Sequence, residues 1–502
     1  MKQNTIKVVS KRQSIGQILL KASVSLAVLG TLSAPAFAVS NAEIMAELKR
    51  LQNRVQTMES KLAETEEELV QTQNDLVDAQ TEAKKQNNIK FSKKTGMPEI
   101  VSSDGQSSFA IGGRVLIDAA QLPDQTKEGN IEDAPAGFYK AQTATEVRKA
   151  YLGVEGTFWK DWEYELEVDL AENEVDIKNA KVTYGGWKDN DVTFGFQKPA
   201  FGLENTQSSR YSQFMERGLT DEFSPSRDLG VSWRHVEDWG AFKVGAFIPN
   251  TIEALEDEDQ LDDEGDPELT NRADAYTYTG RISYAPIDMS NQTVHLGASA
   301  LYTNYSDNDG VKFSARPESH LSQKLVESQK IRDPDYTSAY GLEAAYSGHG
   351  FLIESEYVTS ETKGLNGKAS KTDERDKYDY DAWYVSASYM LTGESHPYSK
   401  KKGTFGAVMP DHPVSKGGWG AWEVGLRFSS IDLNDGVNYK DEDMLGGQLD
   451  DITLGVNWYL ENNLKVMLNY IKYDADSYDH ESGDYLKDQS DDILQARVQW
   501  FF

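Results

Sequence analysis

The sequence predicts an all-β transmembrane barrel of sixteen antiparallel strands that follows an N-terminal α-helical coiled coil. Three observations predict this fold class: a secretory N-terminus, sixteen segments in which apolar and polar side chains alternate, and connections that are short on one side and mostly long on the other. A barrel strand faces lipid on one side and water on the other, so it is only half apolar. The hydrophobic content of 38% fits such strands and is too low for a bundle of apolar membrane helices.

Net charge and cysteine content exclude several kinds of function. The formal charge of -31 argues against a nucleic-acid partner, because phosphate backbones are bound by basic surfaces. The chain has no cysteine, so it has no disulfide, no thiolate metal site and no cysteine nucleophile. Its seven histidines are not accompanied by a nucleophile motif, and we therefore expect no enzymatic activity.

Residues 1–38 have the three parts of a secretory signal peptide. A basic head precedes the apolar stretch 22–32, and the segment ends in the small-x-small sequence AFA at 36–38. The mature chain is predicted to begin near Val39. A short membrane anchor is the alternative, but the apolar stretch is shorter than the roughly 20 residues of a spanning helix.

Residues 39–90 are predicted to form a periplasmic coiled coil. Seam positions recur at alternating spacings of four and three, which is the heptad pattern of helices that associate with one another. These positions are Ile44, Leu48, Leu51, Val55, Met58, Leu62, Thr65, Leu69, Thr72, Leu76, Ala79 and Ala83. No proline or glycine interrupts residues 40–86. The alternative is a single amphipathic helix that lies against the barrel. A polar linker, 91–108, is predicted to follow.

The barrel is predicted to span residues 109–502. Most of its strand-like segments are close to the 9–11 residues that a tilted strand needs to cross a bilayer. The sixteen segments lie at 109–119, 145–157, 161–171, 176–185, 191–198, 228–236, 240–248, 274–285, 292–303, 337–347, 349–360, 379–392, 418–430, 449–460, 463–474 and 491–502. In the third segment the even positions from Trp162 to Leu170 are apolar, whereas the odd positions from Glu163 to Asp169 are acidic.

The connections between the segments fall into two sides. Tight turns alternate with mostly long, charged loops, as in barrels of the outer membrane. Two connections depart from this pattern, because 172–175 is short on the long side and 393–417 is long on the short side. A soluble β-sandwich or propeller would also show alternation, but it would not predict a signal peptide together with two-sided loops. We therefore expect the outer membrane of a Gram-negative bacterium, with the coiled coil in the periplasm.

Several stretches of the sequence resemble one family in their order along the chain. They are IGGRVLID, RKAYLGVEGTF with WEYELEVD, GFQKPAFGLE followed by FMERGL, SYMLTGESHPY, GAWEVGLRFSSIDL, ITLGVNWYLENNLKVMLNY and LQARVQWFF. Residues 109–502 thereby resemble the phosphate-selective porin O and P family of trimeric outer-membrane channels. The resemblance implies a homotrimer that passes small hydrophilic solutes, including anions such as phosphate, by passive diffusion and without a cofactor. It also implies that the third long loop, 199–227, folds into the lumen.

Strand phase and resemblance together give a set of candidate channel-lining residues. A lumen-facing cation replaces the water contacts of a passing anion, and several weak sites allow release as well as entry. The candidate anion path consists of Arg114, Arg148, Lys149, Lys198, Arg210, Arg217, Arg227, Arg281, Arg427 and Arg497. For each of them the alternative is a residue that only faces water or pairs with a neighbouring carboxylate.

Carboxylates are predicted in the same lumen, at Asp118, Glu163, Glu165 and Glu167. A mixed lumen can favour cations or create a transverse field against the basic residues. A general or cation-preferring porin is therefore one alternative. Another is a barrel that only anchors a structural or adhesive coiled coil, with the cell wall as a periplasmic partner. The acidic loop 253–268 is predicted to be solvated, and binding of divalent cations is its functional alternative.

Overall fold

The structure is a computed structural model, and its described residues fall into two compact units, one ending at Ala83 and one beginning at Lys84. The described residues are 41–85, 88–91, 98–123, 143–171, 175–248, 275–306, 310–365, 375–435, 444–478 and 485–502. The predicted signal peptide, 1–38, and the acidic loop, 253–268, lie outside them.

A 45-residue helix, α1 (Asn41–Lys85), is the first described element. The hydroxyl groups of Thr65 and Thr72 each donate a hydrogen bond of 2.8 Å to the carbonyl oxygen four residues earlier. The seam residues from Leu48 to Leu62 are 47–61% exposed in the single chain. Their self-association stays a prediction. Among the described helices, none is long and apolar enough to cross a membrane.

Within the described ranges, sixteen antiparallel strands form a closed barrel. Each strand pairs with the next along the chain, and β16 pairs back with β1, where Phe501 lies opposite Arg114. The strands are β1 (Ser108–Gln121), β2 (Ala144–Phe158), β3 (Trp162–Asp169), β4 (Asp176–Trp187), β5 (Asn190–Gln197), β6 (Asp228–Glu237), β7 (Gly240–Ile248), β8 (Ala275–Met289), β9 (Gln292–Tyr305), β10 (Arg332–Gly348), β11 (Phe351–Leu365), β12 (Asp376–Met390), β13 (Ala421–Asp432), β14 (Gln448–Glu461), β15 (Leu464–Tyr478) and β16 (Tyr485–Phe501). The predicted sixteen-stranded barrel is confirmed.

Alternation along each strand separates an apolar outer face from a polar inner face. On β14 the outward Ile452, Leu454 and Val456 are 37–51% exposed, whereas the inward Thr453 and Asn457 are at most 2% exposed. An outer face of exposed aliphatic side chains suits hydrocarbon, and an inner face of polar side chains suits a water-filled lumen. The half-apolar composition of the chain follows from this division.

Aromatic rings concentrate where strands reach the short-turn end of the barrel. The ring of Trp162 lies 4.9 Å from that of Tyr184 and 5.8 Å from that of Phe158 between centroids. On β13 and β14, Trp422 and Trp458 stack at 5.2 Å. Rings with an apolar body and a polar edge are stable at the interface between hydrocarbon and water.

A short hairpin completes the wall where the barrel closes. Because β16 ends opposite Arg114, the first residues of β1 have no partner on that strand. The strand Pro98–Val101 fills this place, with Glu99 opposite Ala110, and Asn88–Phe91 pairs with its other edge. The predicted linker, 91–108, therefore contains a strand of the wall, which at four residues is too short to show alternation.

Three connections turn into the lumen. The constriction loop (198–227) and the residues 310–331 enter from the long-loop end, and the short-side segment (391–420) enters from the other end. Leu203, Val326 and Phe405 in these connections are at most 1% exposed. Their small elements are helix α2 (Leu203–Thr206), the 3-10 turns Leu219–Phe223 and Val414–Lys416, and the two-residue strands Ser314–Ala315, Val326–Glu327, Tyr398–Ser399 and Thr404–Phe405.

Candidate solute pathway

The constriction loop crosses the lumen and is held by the wall on its far side. Asn457 donates to the carbonyl oxygen of Gln213, and Lys465 donates to that of Ser212, both at 2.8 Å. The other wall residues that bond to backbone groups of the loop are Ser299, Glu356, Arg427, Ser429, Arg497 and Gln499. Since these residues lie on β9, β11 and β13 to β16, the loop leaves the opposite side of the lumen open.

Arg427 of β13 is the main buried cation behind the loop. Its guanidinium group pairs with Glu318 from the residues 310–331 and with Glu204 of the loop, the latter at 3.3 Å. The same group donates to the carbonyl oxygen of Glu216 at 3.0 Å and lies 4.5 Å from the ring centroid of Phe214. One side chain therefore joins two inward connections to the wall.

A second anchor joins the loop to β1, β2 and β16 through Glu216. Arg497 binds Glu216 at 2.6 Å and both oxygens of Asp118 at 2.6 and 2.7 Å, and Arg148 binds Glu216 at 3.2 Å. Burial by itself would raise the pKa of Glu216. The positive charges of Arg148 and Arg497 outweigh burial and hold this pKa well below its usual value. Glu216 therefore stays ionised and tied to both arginines.

A cavity of about 920 Å³ remains between the constriction loop and the strands β1 to β4. Gly112 and Gly153 lie on its wall, opposite each other on β1 and β2. A Cβ atom at Gly153 would approach the carbonyl oxygen of Leu166 to 2.8 Å, so only glycine fits there. Residues of the short-side segment, including Phe405, bound the cavity toward the short-turn end of the barrel.

Six of the predicted cations line this cavity. They are Arg114, Lys149, Lys198, Arg210, Arg217 and Arg227. Arg114 and Arg210 share the carboxylate of Glu167 at 3.2 and 3.3 Å, and Arg217 pairs with Asp221 at 2.9 Å. The cations therefore outnumber the carboxylates that contact them.

Three of the lining cations have no ion pair within the described part of the chain: Lys149, Lys198 and Arg227. Lys198 donates to the carbonyl oxygen of Asn205 at 3.0 Å. Burial, and after it the charge of Arg217, lowers the pKa of Lys198 well below its ordinary value. The loop side of the cavity thus presents cations that no carboxylate of the described residues contacts directly, and the charge of Asp221 acts on Lys198 from beyond ion-pair distance.

A bulge in β2 turns two consecutive cations inward. β1 pairs with Lys149 and then directly with Val147, so that Arg148 is an extra residue on its strand. Val147 is 48% exposed on the outer face, whereas Arg148 reaches Glu216 of the loop and Lys149 lines the cavity. Strict alternation assigns only one of two neighbouring residues to the lumen, and the bulge places both there.

The other predicted cations hold inward segments in place and do not line the cavity. They are Arg148, Arg281, Arg427 and Arg497. Arg281 binds both oxygens of Glu343 at 2.6 and 2.8 Å and donates to the carbonyl oxygens of Lys402 and Gly403. Its charge is neutralised, and it fixes the short-side segment inside the barrel.

Three of the four predicted lumen carboxylates line the cavity: Glu163, Glu165 and Glu167. Glu165 pairs with Lys181 of β4 at 2.9 Å and accepts a hydrogen bond from Asn179 at 2.9 Å. Asp118 lies outside the lining and is bound by Arg497. The lumen is therefore mixed in charge.

Sequence reasoning missed the carboxylates that the connections supply, Glu216, Asp221 and Glu318, because alternation says nothing about a loop. It also missed that the short-side segment folds inward. The available signal was its length, since 393–417 is the one long connection among tight turns on that side. A buried pair between His396 and Glu423 at 2.7 Å fixes its start.

The closed barrel, its apolar outer face and its charged lumen define a diffusion channel of the outer membrane. The chain belongs to the phosphate-selective porin O and P family, because the sequence model of that family matches residues 109–502. It is 26% identical over 446 residues to Porin O of Pseudomonas aeruginosa, which covers 82% of this chain and 92% of that protein. An uncharacterized protein of Caulobacter vibrioides is 30% identical over 387 residues, covering 75% of this chain and 70% of that protein.

Solved structures of outer-membrane proteins are similar in fold at low identity. The outer membrane channel DcaP of Acinetobacter baumannii has 10% identity and a TM-score of 0.46, and covers 79% of this chain and 97% of that one. The anion-selective porin from Comamonas acidovorans has 12% identity and a TM-score of 0.42, with 79% and 100% covered. The barrel is established by its own strand register.

Proposed function

We propose that this channel is anion-selective and passes small inorganic anions such as phosphate through the cavity beside the constriction loop. The observation that carries the proposal is the set of three lining cations, Lys149, Lys198 and Arg227, that have no ion pair within the described residues. Membership of the family and the name of the Pseudomonas aeruginosa relative support the same solute class.

The chemistry of the cations suits transient binding. A unit charge at about 4 Å from an anion contributes about 1 kcal/mol in water, which is roughly a fivefold change in occupancy. Three such groups along one cavity attract an anion without the tight binding that would trap it. The guanidinium of Arg227 adds planar donors that match two phosphate oxygens.

A cation-preferring pore is the competing function, because Glu163 and Glu165 line the same cavity. Glu165 is paired with Lys181, and both glutamates lie on β3 rather than on the constriction loop. The loop contributes Lys198, Arg210, Arg217 and Arg227 where the passage is narrowed, and we therefore expect the anion preference to prevail.

The reversal potential under a KCl gradient tests the proposal. The wild-type channel should give a chloride-selective potential, and the K149Q/K198Q/R227Q variant should lower the chloride-to-potassium permeability ratio by about tenfold. The matched control is K160Q/K188Q/K377Q, which removes three exposed lysines that do not line the cavity and lie outside the inward connections. A cation-selective wild type, or a variant with the selectivity of the control, contradicts the proposal.

We further propose that α1 assembles three copies of the chain through its heptad seam, as a periplasmic stalk of a homotrimer that sits in outer-membrane lipid. The exposed seam side chains from Leu48 to Leu76 support this arrangement. Since the chain has no cysteine, T65C introduces a single thiol at the seam. T65C should cross-link copies through disulfides, whereas E67C, at an outer heptad position of the same turn, should not. Equal cross-linking of both variants contradicts the seam.

A further inference from the structure

A row of mostly charged residues crosses the wall on the short-turn side of the constriction loop. The strand register places Glu99 opposite Ala110, Ala110 opposite Glu155, Glu155 opposite Glu165, and Glu165 opposite Lys181. Four of these five inward positions carry charge, and the four charged side chains line the cavity. The row reaches from the short hairpin to β4.

The row is separated from the cations along the axis of the barrel. Lys149, which has no ion pair within the described residues, lies six residues along β2 from Glu155, which is about 20 Å of strand. Arg114 lies nearer, but it is paired with Glu167. Glu163 lies two residues from Glu165 along β3, between the row and the short-turn end of the barrel. At about 0.1 M salt the Debye length is about 10 Å, so the two groups act on ions as separate segments.

The two segments have opposite net charge. In the lower segment Glu99, Glu155 and Glu163 have no ion pair within the described residues, and Glu165 is neutralised by Lys181. Lys402 of the short-side segment lines the same cavity and offsets one carboxylate. The lower segment therefore retains an excess of negative charge, and the cavity beside the constriction loop retains an excess of positive charge.

We propose that Glu99, Glu155 and Glu163 are specificity-determining residues that place a cation-selective segment in series with the anion-selective constriction, so that the pore conducts ions unequally in the two directions. The inference rests on the proposed anion selectivity of the constriction. It requires no bound ligand, because the carboxylates act through the mobile ions of the lumen.

The direction of the asymmetry follows from the order of the segments. Chloride is the main carrier beside the constriction loop, and potassium is the main carrier beside the carboxylates. When the short-turn side is positive, the field drives both carriers toward the junction between the segments, and they accumulate there. The opposite polarity empties the junction. The current should therefore be larger with the short-turn side positive, by about two- to fourfold at about 0.1 M KCl.

The experiment is a single-channel current-voltage curve on full-length channels of known orientation. K188C supplies a single thiol in an exposed turn of the short-turn end, and a charged, membrane-impermeant thiol reagent added to one chamber identifies the side. The test variant is E99Q/E155Q/E163Q in this background. The control E237Q/D238N/D189N removes three exposed carboxylates from turns at the same end that do not line the cavity.

We expect rectification in the wild type and in the control, its loss in E99Q/E155Q/E163Q, and its disappearance in all channels at about 1 M KCl, where the Debye length is about 3 Å. A symmetric curve from a channel that still has a chloride-selective reversal potential overturns this inference alone. Rectification that persists unchanged in E99Q/E155Q/E163Q also overturns it. A wild type without chloride selectivity instead refutes the proposed function.

Discussion

Arg427→Met should release the constriction loop from the wall. The substitution removes the cation that pairs with Glu204 and Glu318 and leaves both carboxylates buried, at 6% and 4% exposure. Breaking a buried ion pair by removing one partner costs about 3–5 kcal/mol. Since about 1.4 kcal/mol is a factor of ten, the ratio of seated to displaced loop should fall by about two to four orders of magnitude.

Single-channel recording measures this release directly. We expect R427M channels to show more open-channel noise, additional conductance levels and weaker chloride selectivity than the wild type. R427K keeps the charge but loses the forked geometry, and it should fall between the two. R375M is the control, because Arg375 and Asp333 form an exposed pair whose loss costs at most about 1 kcal/mol. Wild-type noise and selectivity in R427M would refute the anchoring role.

Three further predictions concern the same loop. Because burial lowers the pKa of Lys198 well below its ordinary value, this cation is charged at low pH and loses its charge as pH rises through the lowered pKa. Chloride selectivity should therefore fall with rising pH before an ordinary lysine loses its charge, and the reversal potential of K198Q should depend less on pH. E216Q removes the carboxylate that Arg148 and Arg497 share and so loosens the second anchor of the loop; open-channel noise should rise as in R427M, and wild-type noise would count against this role. Phe214 is 1% exposed and lies beside Gly425 and Gly455, so F214A leaves a cavity there. The free energy of unfolding in a urea titration should fall by about 3–5 kcal/mol, whereas F109A, at an outward position, should lower it less.

Strand phase predicted the barrel well because one physical constraint acts on every strand. Lipid outside and water inside force a period of two, and a run such as Ile452 to Tyr459 shows it without knowledge of any partner. Strand phase did not predict the hairpin strand Pro98–Val101, because the position of this strand depends on where β16 ends. Strand phase did not predict the bulge at Arg148 either, because a bulge interrupts the two-residue period on which the prediction rests.

The candidate site was predictable only in part. Basic residues could be assigned to the lumen, but several of their counter-charges come from connections, as Glu216 does for Arg148 and Arg497. Pairing decides which cations remain available to a solute: Arg281 and Arg427 are buried in ion pairs, whereas Lys149 lines the cavity without one within the described residues. Such long-range pairs leave no periodic signal in a sequence.

Block of the chloride current by phosphate tests the central claim most directly. In a planar bilayer, added phosphate should reduce the chloride current of the wild type, and the block should weaken in K149Q/K198Q/R227Q while K160Q/K188Q/K377Q retains it. A cation-selective current that phosphate leaves unchanged would contradict the claim and leave a general porin of the same fold. Full-length protein that inserts but does not conduct would instead favour a barrel that anchors the coiled coil.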